Sequence, residues 1–168
     1  MSSAFHVEEE YAYSHGNCFF DALSFCFKQH GWRGKGDFLR GMVADTVRKG
    51  GEDVESAVKF WIELQDLPEY KFARGVTLPI TSDKLDTLAD AMLSHKLYWG
   101  DDFSIRVLAR KLNIRLVILR DGTPTIVQSE TKTPTHAVIL GLHREHYAPI
   151  GWRDQYVHSV GGRERYVV

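Results

Sequence analysis

The sequence predicts a mixed α/β (α+β) domain in which a helical first part packs against a small sheet supplied by the second. Apolar residues recur at helical spacing in five stretches between Cys18 and Leu112, whereas four runs of strand character lie from Ile114 onward. Segregation of this kind favours helices layered on a small, mostly antiparallel sheet.

Residues 11–13, Tyr-Ala-Tyr, alternate as a short edge strand would. From Cys18 to Gln29, Phe19, Leu23 and Phe27, with Ala22 and Cys26, repeat at helical spacing, and Gly31 and Gly34 end the run. A second helix is expected over Asp37 to Lys49, with Phe38, Leu39, Met42, Val43, Thr46 and Val47 on its inner side and Gly50-Gly51 as a stop. Val54, Ala57, Val58, Trp61, Ile62 and Leu64 form a third stripe, closed by Leu67-Pro68. Glu69 to Ile80 reads as the longest irregular stretch.

Thr81 or Ser82 then caps a helix whose inner stripe is Leu85, Leu88, Ala89, Met92 and Leu93. Trp99-Gly100-Asp101-Asp102 breaks that pattern and opens another helix carrying Ile105, Leu108, Ala109 and Leu112 inward. Asn113 suits its left-handed end. Ile114 to Leu119 is a strand, and Asp121-Gly122 turns it toward Thr125 to Val127. His136 to Leu142 is nearly continuously apolar, as a central strand would be, and His146 to Ile150 follows closely enough to be its antiparallel neighbour.

A chain of 168 residues with 43% hydrophobic content suffices for one core. A single domain over residues 1–168, with its core at about 11–152, is expected. Because 21 Lys and Arg are dispersed among 22 Asp and Glu, for a net charge of -1, nothing favours a nucleic-acid or anionic membrane partner. No run reaches the roughly 18 apolar residues of a membrane helix, and the acidic first ten residues are unlike a signal peptide. A cytoplasmic monomer is expected, in a host cytosol if its origin is viral or that of an effector. Cys18 and Cys26, eight residues apart on one predicted helix, lie about 12 Å from each other, beyond disulfide reach. Both should be free thiols.

Chemistry points to Cys18. Gly16 and Asn17 tolerate the backbone angles that would deliver a thiol onto the first turn of a helix. There the unpaired amides and the helix dipole should favour the thiolate, lowering its pKa, and could hold an oxyanion. Such a nucleophile needs a base. Among eight histidines, His146 opens a strand beside Tyr147, where packing could pin its ring with one nitrogen toward a cleft. His6, His30, His95 and His158 read as solvated, His136 as a strand residue and His143 as a neighbour of the sheet edge. His143 and His146 with Cys18 could be imagined around a metal, yet their spacing matches no structural zinc site, so no metal and no cofactor are expected. Cys26 reads as an inert core thiol.

Three blocks carry a resemblance. Gly16-Asn17-Cys18-Phe19-Phe20-Asp21-Ala22-Leu23 resembles the Asp-Gly-Asn-Cys-Leu-Phe-Arg-Ala-Leu block of the ovarian tumour (OTU) family of cysteine deubiquitinases. Trp99-Gly100, leading a helix into the Asn113 to Leu119 strand, resembles the family's second block, and Leu142 to Ile150 with His146-Tyr147 resembles its closing His-Tyr block. The resemblance implies a papain-like fold with a small central sheet flanked by helices, and hydrolysis of the isopeptide bond after the C-terminal Gly-Gly of ubiquitin or a ubiquitin-like modifier. It implies Cys18 as nucleophile, His146 as base and an oxyanion hole from His15, Gly16 and Asn17 with the Cys18 amide. A narrow substrate groove walled by Trp99 and Gly100, with Tyr147 beside it, is implied too, and Asp101, Asp102 or Glu8 to Glu10 could meet the arginines of a ubiquitin tail.

Two positions depart from the family. His15 stands where it has Asp, and Ala148 stands where many members place an Asp or Asn that orients the histidine. The site is then a Cys-His dyad, or a third residue comes from elsewhere, with Glu10, Ser14 and Asp154 as candidates. A ubiquitin-binding module with impaired turnover and another papain-like peptidase are the alternatives.

Overall fold

The computed structural model describes residues 16–28, 34–121, 123–128, 134, 136–143 and 146–153. The expected strand at 11–13, and Glu10, Ser14, His15 and Asp154, lie outside the described residues. Among the described residues, five α-helices precede four strands: α1 Cys18–Lys28, α2 Gly36–Lys49, α3 Glu52–Glu63, α4 Ser82–Met92, α5 Asp102–Leu112, then β1 Ile114–Arg120, β2 Thr123–Gln128, β3 His136–His143 and β4 His146–Arg153. Part of the stretch expected to be irregular is a short 3-10 helix, Pro68–Ala73, started by a proline that needs no amide partner.

The strand order is β2-β1-β3-β4. β1 runs parallel to β3, with Leu116 opposite Val138, while the β1–β2 and β3–β4 pairs are antiparallel. The two central strands are buried on both faces, which is why their sequences are almost unbroken apolar runs. Among the described residues β4 is an edge strand, and its pairing with β3 shifts register between Ile139 and Leu140, next to Pro149.

α1 is wedged between β4 and α2. Phe19, Phe20, Ala22 and Leu23 are wholly inaccessible, so this helix is held by burial worth about 1.5–3 kcal/mol per large side chain rather than by its own propensity. α2 buries Leu39, Val43 and Val47 as its hydrophobicity predicts, but Phe38 is 62% exposed, and Arg40, at 1%, takes a core position beside Leu39 and Val43. On α4, Leu88, Ala89 and Met92 are buried as expected, but Leu93, at the helix end, is 45% exposed. Thr81 accepts the Lys84 amide as N-cap, Asp101 accepts that of Ser104, and Asn113 ends α5 at φ 51°.

Trp61 is the hub of an aromatic cluster, with ring centroids 5.1 Å from Phe72 and 5.2 Å from Phe103. Tyr98 joins it 4.7 Å from Phe72. This cluster anchors the segment leading to Trp99 and Gly100.

Candidate active site

Cys18 is the first residue of α1 and is 5% exposed. The chain reaches it through Gly16, at φ 84°, where a side chain would be strained and would also meet the His95 carbonyl. Asn17 is buried at 3% and its side chain is fully engaged. Its Nδ2 donates to Asp21 Oδ1 at 2.8 Å and Asp37 Oδ1 at 3.5 Å, while its Oδ1 accepts from Arg40 Nε at 3.0 Å and Nη2 at 2.8 Å. The Asn17 side chain is therefore committed to its neighbours, and among the described residues of this loop the main-chain N–H groups are left for an incoming oxygen. His95, expected to be solvated, is part-exposed and also pairs with Asp37 through Nε2 at 2.6 Å, and Asp21 is pushed above the usual carboxylate range by burial and by the neighbouring Asp37.

The helix start does not leave Cys18 with a depressed pKa. Burial raises it, because a thiolate is poorly solvated there, although the backbone N–H groups of Tyr147, Phe19 and Cys18 face the sulfur and pull the other way. Desolvation outweighs the amides. The Tyr147 contact joins α1 to β4 at the residue that follows His146. It is reinforced by edge-to-face packing of Phe19 on Tyr147, centroids 5.1 Å apart. Burial pushes the Tyr147 hydroxyl up to about 12.

His146 is exposed at the start of β4, opposite His143 across the hairpin, and His143 Nδ1 pairs with Asp121 Oδ1 at 2.9 Å. Two residues on, Ala148 is 4% exposed and offers no polar atom from its side chain. Among the described residues, no three His, Cys, Asp or Glu side chains gather as a metal site, and no helix is long and apolar enough to cross a membrane.

A cavity of about 800 Å³ opens beside these elements, lined by Trp99, Gly100, Asp102, Tyr147, Glu69 and Arg106 among others. Trp99 is 37% exposed on its wall rather than buried in the core. Gly100, at φ 86°, lets the backbone lie against Phe19, whose Cδ2 would be 3.0 Å from an added Cβ. Asp101 also lines this cavity, but its carboxylate is engaged from the inside. Its carboxylate is buried, raised in pKa by that burial, and accepts from Trp61 Nε1 at 2.8 Å and Tyr98 OH at 2.5 Å as well as capping α5. Asp102 remains exposed on the cavity.

Arg40 is the residue that hydrophobicity reasoning missed. The one signal in the sequence is a lone arginine beside Leu39 and Val43, which reads as a solvated edge of α2.

No protein-family model matches the sequence, and no curated protein matches it. Solved structures do. An OTU deubiquitinase from Wolbachia pipientis wMel matches at 16% identity over 92% of this chain and 91% of that one, with a TM-score of 0.58. An OTU deubiquitinase from Wolbachia pipientis wMel bound to ubiquitin matches at 14% identity over 88% of this chain and 95% of that one, TM-score 0.55. An ovarian tumour domain in complex with ubiquitin matches at 13% identity over 90% and 79%, TM-score 0.54. Five helices packed on a β2-β1-β3-β4 sheet, with the cysteine heading α1, thus make up the fold of OTU deubiquitinase domains.

Proposed function

We propose that the chain is a thiol-dependent deubiquitinase, a monomeric enzyme that hydrolyses the isopeptide bond after the C-terminal Gly-Gly of ubiquitin or a ubiquitin-like modifier. The observation that carries this reading is the main-chain N–H of Tyr147, next in sequence to His146, facing the sulfur of Cys18 at the head of α1. That contact brings the start of β4 to the head of α1, which supports the reading that the Cys18 thiol and the His146 imidazole work together. Two of the similar structures contain ubiquitin, and the cavity beside Trp99 and Gly100 is a route for its narrow tail.

Because Cys18 is desolvated, His146 removes its proton as the sulfur attacks the glycine carbonyl, rather than meeting a preformed thiolate. A C–S bond forms, and the carbonyl π electrons move to the oxygen, which the amides of the residue 15–18 loop stabilise. The imidazolium then protonates the lysine amine as the C–N bond breaks. Water, deprotonated by His146, hydrolyses the thioester. Glu10, Ser14 or Asp154 supplies the third group, or the site operates as a dyad.

Cleavage of ubiquitin carrying a C-terminal fluorogenic amide tests this reading. The wild type should release the fluorophore, and Cys18→Ala should not. A second reading is a ubiquitin-binding module without turnover, favoured by Ala148 and the raised Cys18 pKa. Saturable ubiquitin binding with no release of fluorophore would select it.

A further inference from the structure

Arg40 lies inside the protein, 1% exposed, with its guanidinium over the Phe20 ring at 4.6 Å. Its five N–H donors are shared between two loops. Toward the cysteine loop, Nη2 donates to the Gly16 carbonyl at 2.7 Å, and Nε and Nη2 donate to Asn17 Oδ1. Toward the loop that carries Trp99, Nη1 donates to the carbonyls of Met92 at 2.8 Å, Ser94 at 3.4 Å and Tyr98 at 2.5 Å. One buried ion thus sets the register of the two loops that bound the site.

Two consequences follow for the amides. A trans peptide directs its C=O and N–H oppositely, so drawing the Gly16 carbonyl onto Arg40 turns the Asn17 N–H away from it. An Asn just ahead of a helix ordinarily folds its side-chain oxygen back onto the second or third amide. Here Asn17 Oδ1 is taken by Arg40 instead, and the first amides of α1 are left facing the thiol, where those of Cys18 and Phe19 reach the sulfur.

We propose that Arg40 is the positioning residue of the oxyanion hole: by holding the Gly16 carbonyl and the Asn17 side chain on one side of the loop, it presents the loop amides to the reacting carbonyl on the other. This rests on Cys18 being the nucleophile of the proposed function. Burial pulls the guanidinium pKa down only to about 10, so the ion stays charged at neutral pH. Lysine cannot replace it, because a single ammonium lacks the planar fork that reaches both loops.

The test compares two reactions of Cys18 in a Cys26→Ser background. Iodoacetamide alkylates sulfur by displacing iodide, with no oxyanion. p-Nitrophenyl acetate transfers its acetyl group to sulfur through an oxyanion, releasing p-nitrophenolate. Loss of an oxyanion donor typically costs about 10²–10³ in rate. Arg40→Lys and Asn17→Ala should therefore slow acetylation about 100-fold while changing alkylation by less than about threefold. A parallel fall in both reactions would assign Arg40 a structural part only, and unchanged acetylation would remove it from the hole. Asn17→Ala carries the test if Arg40→Lys does not fold, since Arg40 then keeps its carbonyl partners. If neither variant folds, Arg40 serves the fold and the proposal falls. Neither reagent contains ubiquitin, so this outcome is separate from whether ubiquitin is the substrate.

Discussion

The carbonyl oxygen of His95 stands 1.8 Å from the point that a Cβ on Gly16 would occupy. No side chain fits there, and φ of 84° adds strain for any residue but glycine. Gly16→Ala should destabilise the fold by at least about 2 kcal/mol, read as a lower urea midpoint, because the obstacle is main chain and cannot rotate aside. An alanine variant with the wild-type midpoint would contradict this packing.

Cys18 should titrate above an ordinary thiol. Burial favours the neutral form, so the thiolate fraction near neutrality is smaller than for a solvated cysteine and grows as pH rises. Alkylation of Cys18 in the free protein should still be climbing at about pH 8.5, where an ordinary thiol is half ionised. A plateau reached below neutral pH would show that the amides, or His146, outweigh desolvation.

Asp101→Ala should cost about 2–4 kcal/mol. The substitution removes the α5 cap, strands the buried Trp61 indole and leaves the Tyr98 hydroxyl with Ser104 Oγ as its partner. Thermal unfolding measures it, and a loss below about 1 kcal/mol would mean that water replaces the carboxylate.

Much of the fold is legible in the sequence because its signals are local. Thr81, Asp101 and Asn113 cap helices where short polar side chains and left-handed geometry demand, and the unbroken apolar runs of β1 and β3 mark strands buried on both faces. α2 is legible only in part. Leu39, Val43 and Val47 are buried as periodicity predicts, but it counts Phe38 as core and Arg40 as surface, and the reverse holds, because the partners of Arg40 lie more than twenty residues before it and more than fifty after it. Asp101 shows the same limit: its side chain reads equally as a cap and as an entrance carboxylate, and the indole of Trp61, forty residues earlier, decides for the interior. The pKa of Cys18 depends on the packing of β4 against α1, which no helix-terminus signal contains.

Cys26 is 2% exposed among the aromatic residues of α1. Cys26→Ser should leave the hydrolytic rate per folded molecule within about twofold while lowering stability by about 1–3 kcal/mol, from burying a hydroxyl in place of a thiol. A rate loss of several hundredfold would give this thiol a part in the chemistry.

Incubation with ubiquitin bearing an electrophile at its C-terminal glycine, read by intact mass, tests the central claim most directly. One ubiquitin should become attached to the wild type at Cys18, none to Cys18→Ala, and attachment to His146→Ala should be slower. Labelling that persists in Cys18→Ala, or a wild type that binds ubiquitin yet never forms the adduct, would contradict the account.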